Sequence, residues 1–164
     1  MQQKEHLRDL IRGAVLAALI VIATRFLSIP LPVVGYVHLG DALLFLSASL
    51  LPTPYAIGAA VIGAGLADLT SGFALYLPAT ILIKGLTAFA FTANGKRMLC
   101  VRNLLALPCA LLLCAGGYFV FEWILYGLPS ALPSIPFNCL QIGASALIYV
   151  LCALVLDRRK LHLR

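Results

Sequence analysis

Ten of the twelve Lys and Arg residues fall in three clusters, Lys4/Arg8/Arg12, Lys96/Arg97/Arg102 and Arg158/Arg159/Lys160/Arg164, and the chain between them is almost continuously apolar. Lipid offers no partner for a backbone N–H or C=O, so long apolar stretches enter a bilayer as helices, and the cationic segments flanking them stay cytoplasmic. The clusters therefore predict that the N-terminus, a middle loop and the C-terminus share the inner side. Each half of the chain must then cross the membrane an even number of times.

Composition agrees. With 62% hydrophobic and 11% charged residues and a mean hydropathy of +1.02, 164 residues cannot hide their apolar surface in a soluble core. The net charge of +6 is confined to the flanks of apolar segments. It reads as topology and contact with anionic membrane lipid, and nucleic acid is not expected as a partner. The stretch Met1 to Arg12 mixes Glu5 and Asp9 with its bases, and no small-residue cleavage site follows, so the first helix is expected to be retained. Five cysteines, Cys100, Cys109, Cys114, Cys139 and Cys152, lie in apolar surroundings without paired spacing or His neighbours. They read as small buried hydrophobes, and neither a metal nor a cofactor is expected.

A hydrocarbon core of about 30 Å takes about 20 helical residues. That ruler gives six segments: about Leu10 to Ser28, stopped by Ile29-Pro30-Leu31-Pro32; Val37 to Pro52; Thr53 to Ser71; Ala79 to Thr92; Asn103 to Tyr126; and Phe137 to Leu156. Pro52-Thr53-Pro54 marks a tight reversal, Gly72 and Pro78 bracket another, and Asn94-Gly95 opens the central basic loop. The loops Ile29 to Tyr36, Gly72 to Leu77 and Gly127 to Pro136 carry no Lys or Arg and are placed outside. The expected fold is an all-α membrane protein, a six-helix bundle forming one domain over residues 1–164 with both termini cytoplasmic.

Charge inside a membrane helix costs roughly 2.5–3.5 kcal/mol even on lenient scales, so each instance needs a reason. Here they converge on the outer leaflet: Arg25, His38, Asp41, Asp68, Lys84, Glu122, Trp123, Tyr126, Asn138 and Gln141, with Tyr76 in the loop above them. The inner half is nearly free of ionisable groups below its basic rim. A polar, partly aromatic cavity above an apolar plug suits a receptor for a small polar ligand, whereas a conducting pore needs polar lining through its full depth. Lys84, about 9 Å below the outer start of the fourth segment at 1.5 Å per residue, is expected either to contact the ligand or orient Glu122, or to form a structural ion pair. Gly13, Ala14, Ala17 and Ala18 place small residues on one side of the first helix, a pattern that permits close helix approach, inside the bundle or against a partner.

With these residues assembled, the chain resembles the substrate-binding S components of energy-coupling factor (ECF) transporters, which import vitamins into bacteria and archaea. The resemblance rests on the Ala14-x-x-x-Ala18 pair, Tyr36-Val-His-Leu-Gly-Asp41, Gly65-Leu-Ala-Asp-Leu-Thr-Ser-Gly72, Pro78-Ala-Thr-Ile-Leu-Ile-Lys-Gly85 and Pro136-Phe-Asn-Cys-Leu-Gln141. It implies a multi-pass cell-membrane subunit that captures a vitamin-like small molecule of the riboflavin, pyridoxine or hydroxymethylpyrimidine class outside. It also implies that the Ala14/Ala18 face docks on a transmembrane coupling subunit served by two cytoplasmic ATPases. The chain has no phosphate-binding loop of its own, so ATP chemistry is expected only on partners. The competing reading is a small ion-coupled carrier with Asp68, Glu122 and Lys84 as relay. No nucleophile–base arrangement or HExxH points to an enzyme.

Overall fold

The computed structural model describes residues 2–30, 36–94 and 97–158. The Leu31-Pro32 half of the first expected helix stop, Gly95, and the basic residues Lys96, Arg159, Lys160 and Arg164 lie outside them.

The described residues are mostly helical, with a short ribbon at one end and an irregular segment between the fourth and fifth long helices at the other. Helix α1 (Gln2–Phe26) begins well before Leu10, because the polar N-terminal turns are strong helix formers joined by Arg8–Asp9 and Arg12–Asp9 ion pairs at 3.6 and 3.7 Å. Two short strands, β1 (Ser28–Pro30) and β2 (Tyr36–His38), then pair antiparallel with Ser28 opposite His38 and Pro30 opposite Tyr36. The expected all-α fold therefore carries a β-ribbon. This ribbon also corrects the second expected segment: Val37 and Leu39 belong to the strand and its exit, and α2 runs only from Gly40 to Leu50. At 1.5 Å per residue it is about 16 Å long, short of a bilayer core.

Helix α3 (Thr53–Ser71) keeps its expected bounds. Pro54 stands in its first turn, where a missing N–H costs nothing. Gly72 ends it in the left-handed conformation (φ 85°), its N–H bonding the Asp68 carbonyl. The chain then makes a 3-10 turn over Ala74–Tyr76 and enters α4 (Leu77–Ala90). Helix α5 (Val101–Tyr126) is stopped by Gly127 (φ 81°), a single turn α6 (Leu128–Ala131) follows, and α7 (Ser134–Arg158) starts ahead of the expected Phe137 because Pro136 fits within its first turn.

The long helices close into a ring: α1 packs on α3, α3 on α4, α4 on α5, α5 on α7, α7 on α2 and α2 on α1. Close approach of α1 and α3 depends on Gly63, where a Cβ would stand 2.9 Å from the Ala17 carbonyl and from Ile20. Helix α2 is the innermost, with Leu44, Phe45 and Ala48 at most 3% exposed. Two stretches, Val101–Tyr126 and Leu128–Arg158, are long and apolar enough to cross a membrane.

At the end away from the ribbon, Phe45 stacks on Phe91 at 5.1 Å and both meet the Tyr149 ring edge-on. Beneath them the plug is less apolar than the sequence suggests. Asn103, fully buried, donates to Ser49 and to the Thr92 and Met98 carbonyls and accepts from the Thr92 N–H. Asp157 accepts the Met98 and Leu99 N–H groups, and Arg102 binds the last carbonyls of α4, Phe89 and Ala90. Irregular backbone between α4 and α5 is thus tied into the bundle at Thr92, Met98 and Leu99.

Candidate functional site

At the ribbon end, each element delivers polar groups at a spacing that keeps them on one face. Tyr36 and His38 are two apart on a strand; Thr80 and Lys84, and Tyr118 and Glu122, are one turn apart on α4 and α5; Asn138 and Gln141 are three apart on α7. Asp41 opens α2 and Asp68 closes α3. The Gly72 turn brings Tyr76 back over the bundle.

These groups form two tiers. In the upper tier, the Tyr36 hydroxyl donates to Asp68 Oδ1 at 2.6 Å and the Tyr76 hydroxyl donates to Glu122 Oε1 at 3.1 Å. Thr80 and Tyr118 share a hydrogen bond at 3.0 Å. The rings of Tyr36, Phe73, Tyr76 and Phe121 follow one another at 4.7, 6.0 and 5.5 Å. The second oxygens of both carboxylates, Asp68 Oδ2 and Glu122 Oε2, are buried with no hydrogen bond among the described residues. The Ser134 hydroxyl is near Glu122 but gives its proton to the Ala131 carbonyl, and the Thr80 hydroxyl lies near Asp68 while sharing a hydrogen bond with Tyr118 in which either oxygen can be the donor. A buried acceptor without a donor costs about 1–3 kcal/mol, more when charged, so both oxygens are available to an incoming N–H or O–H. The space these residues enclose is about 30 Å³, enough for about one or two waters.

The lower tier is an ion pair. Lys84 Nζ is 2.7 Å from Asp41 Oδ1 with both side chains 1% exposed. The ammonium also reaches Cys114 Sγ at 3.5 Å and lies 5.4 Å from the centre of the Tyr118 ring. Gln141 donates to Asp41 Oδ2 at 2.7 Å, and its Oε1 accepts the His38 N–H at 3.0 Å. His38 Nδ1 accepts from the Gly40 N–H, and its Nε2 lies 3.5 Å from the Gln141 amide nitrogen. Burial holds the imidazole down to about 4, the Asp41 charge opposing, so His38 is neutral near pH 7.

Of the expected ligand residues, His38, Asp68, Tyr76, Glu122, Asn138 and Gln141 line the upper cavity. Asp41 and Lys84 lie under it. Lys84 is bonded to Asp41, and among the described residues no hydrogen bond joins it directly to Asp68 or Glu122, the other two residues named for the competing ion-coupled reading. Trp123 and Tyr126 face outward, 50% and 41% exposed. Trp123 lies 5.9 Å from Phe119 one turn earlier, and Tyr126 stands at the rim beside Tyr76. Arg25 is exposed over the Phe26 ring. Tyr36, Thr80 and Tyr118 complete the cavity and were not among the expected residues. Their signal was spacing: one turn before Lys84, one turn before Glu122, and two strand positions before His38.

Away from this cluster, α1 and α3 leave an apolar groove of about 420 Å³ between them. Ala14 and Ala18 lie exposed on it, while Gly13 and Ala17 are buried against α3. The small-residue pattern thus serves internal packing on one side and leaves an open surface on the other.

The profile of a family described as ECF-type riboflavin transporter, S component, matches residues 4–158. Comparison with curated proteins gives no match.

Proposed function

Because the chain belongs to the family of ECF-type riboflavin transporter S components, and is therefore the substrate-binding subunit of a membrane vitamin transporter, we propose that the cluster beneath the β-ribbon is its vitamin site and that riboflavin is its ligand. The observation carrying this reading is the pair of buried carboxylate oxygens, Asp68 Oδ2 and Glu122 Oε2, left without donors beside a run of aromatic rings. A flat heteroaromatic vitamin with hydroxyl and N–H donors supplies both kinds of contact. Pyridoxine and hydroxymethylpyrimidine share that chemistry on a smaller scale.

A ligand of this kind needs a pocket of roughly 300–1,000 Å³, far above the 30 Å³ enclosed at rest. Capture therefore requires the ribbon to move off the helix ends. In the proposed topology the helix bundle lies across the cell membrane, with the short α2 reaching only part of its depth and continued by β2; the ribbon end faces outside, and the basic end faces the cytoplasm. The convergence of the α1 start, the α2–α3 turn, the α4–α5 segment and the α7 end on one side supports this, through His6–Tyr55 and Asp157–Met98 contacts. S components work with an ECF module of coupling subunit and ATPases. Here the Ala14/Ala18 surface is the proposed contact with the coupling subunit, with ATP hydrolysis on the two partner ATPases.

Mass spectrometry of small molecules released from the purified, denatured protein should find riboflavin, and titration by flavin fluorescence should show saturable binding. Asp68→Asn and Glu122→Gln should each weaken that binding at least about tenfold, about 1.4 kcal/mol. Unaltered affinity in both folded variants would remove the cluster from the ligand site.

A further inference from the structure

Gln141 occupies an unusual position. It is 4% exposed, and its two ends bond in opposite directions: its amide NH2 donates to Asp41 Oδ2 at 2.7 Å and lies 3.5 Å from His38 Nε2, and its carbonyl accepts the backbone N–H of His38 in β2 at 3.0 Å. Reversing the amide would set its oxygen against the Asp41 carboxylate and its NH2 against the His38 N–H, so only the observed orientation satisfies both ends. Asp41, held in turn by Lys84, therefore fixes the direction in which Gln141 presents its acceptor to the ribbon.

Gln141 and His38 also stand between two cavities. Both line the polar cluster, and both line an apolar groove of about 460 Å³ bounded by Phe26, Leu27, Ile29 and Leu140. Those four side chains are 58–75% exposed. Together the two residues are the wall that separates buried carboxylates from an apolar outer surface. The His38 ring adds a 3.5 Å contact from its Nε2 to the Gln141 amide nitrogen, and on the far side of the cluster Tyr36 ties the ribbon to Asp68.

We infer that Gln141 is the latch of the vitamin site: a positioning residue that, oriented by the Lys84–Asp41 pair, holds β2 against α7 and sets how readily the ribbon lifts to admit and release ligand. The inference rests on the proposed site for its role in release, but the latch itself is a property of the protein alone. Its loss frees one backbone N–H and leaves the helices in place, so the ribbon should open more often without general unfolding.

Hydrogen exchange on the purified full chain, without ligand, reads this directly. Gln141→Met conserves volume and removes both hydrogen bonds; it should raise exchange of the peptide containing Tyr36–His38 at least about tenfold, with α5 peptides unchanged. Gln141→Asn, which retracts the amide by one methylene, gives the same test if the methionine variant fails to fold. The double variant Asp41→Asn/Lys84→Met, which removes the orienting charges together, should also accelerate exchange at Tyr36–His38. With riboflavin as probe, Gln141→Met should speed both association and dissociation, because entry and exit both pass through ribbon opening. Unchanged exchange at the ribbon in a folded variant, or exchange raised equally along all helices, would overturn the latch. Absence of riboflavin binding by the unaltered protein would instead count against the functional reading, and the exchange result would still judge Gln141.

Discussion

Asp41→Ala should destabilise the protein by about 3–5 kcal/mol, the largest loss expected from any single side chain in the ribbon-end cluster. The reason is the environment of its partner. Lys84 is 1% exposed and its other neighbours are a thiol and the face of a tyrosine ring, neither of which replaces a carboxylate. Truncating Asp41 leaves an ammonium buried without its counter-ion and also releases Gln141. Lys84→Met should cost a similar amount by stranding Asp41. The double variant Asp41→Leu/Lys84→Met should recover most of the loss, because removing both charges removes the desolvation cost along with the attraction. Denaturant unfolding in detergent, followed as a double-mutant cycle, checks this. Near-additive losses would mean that the pair is not the element holding α2 to α4.

The second large effect concerns uptake. Ala14 and Ala18 lie exposed on the α1/α3 groove, and a bulky side chain there would project from the bundle surface with little disturbance to the core. Ala14→Trp or Ala18→Trp should therefore abolish uptake in cells carrying the ECF module, while riboflavin binding by the purified variant stays within about twofold. Gly13 and Ala17 behave differently because they already touch α3: the same replacement there should reduce folding itself. Equal uptake by wild type and both exposed-site variants would assign the groove to lipid rather than to a coupling subunit.

What could be read from sequence divides along local and non-local causes. Helix α3 was bounded correctly because its limits are local: a proline pair at one end and a glycine able to take φ 85° at the other. Helix α2 is shorter than the sequence suggests because Val37 and Leu39 are as apolar as helix residues, and only the pairing of Val37 with Ile29 across the ribbon holds this stretch out of the helix. The charged start of α1 was read as a flank, although its i,i+3 charge spacing favours helix. At the site, apolar surroundings single out Asp68, Glu122 and Gln141 in the sequence, and the structure buries all three. Choosing among neighbours required the helix phase: Glu122 turns inward, so Trp123, about 100° further round, turns out. Tyr118, four residues before Glu122, comes in with it. The sequence leaves the partner of Lys84 open, because Asp41, Asp68 and Glu122 are all expected in the same leaflet. The structure resolves it by the turn from β2 into α2, which brings Asp41 within 2.7 Å of the ammonium.

The central claim is that this protein captures a vitamin but cannot concentrate it alone. The direct test reconstitutes the purified chain in liposomes, imposes a proton or sodium gradient, and measures riboflavin accumulation without partner proteins, then repeats the measurement with the coupling subunit, both ATPases and ATP. The account predicts binding without accumulation in the first case and ATP-dependent accumulation in the second; robust uphill uptake by the chain alone would contradict it and establish an ion-coupled carrier instead.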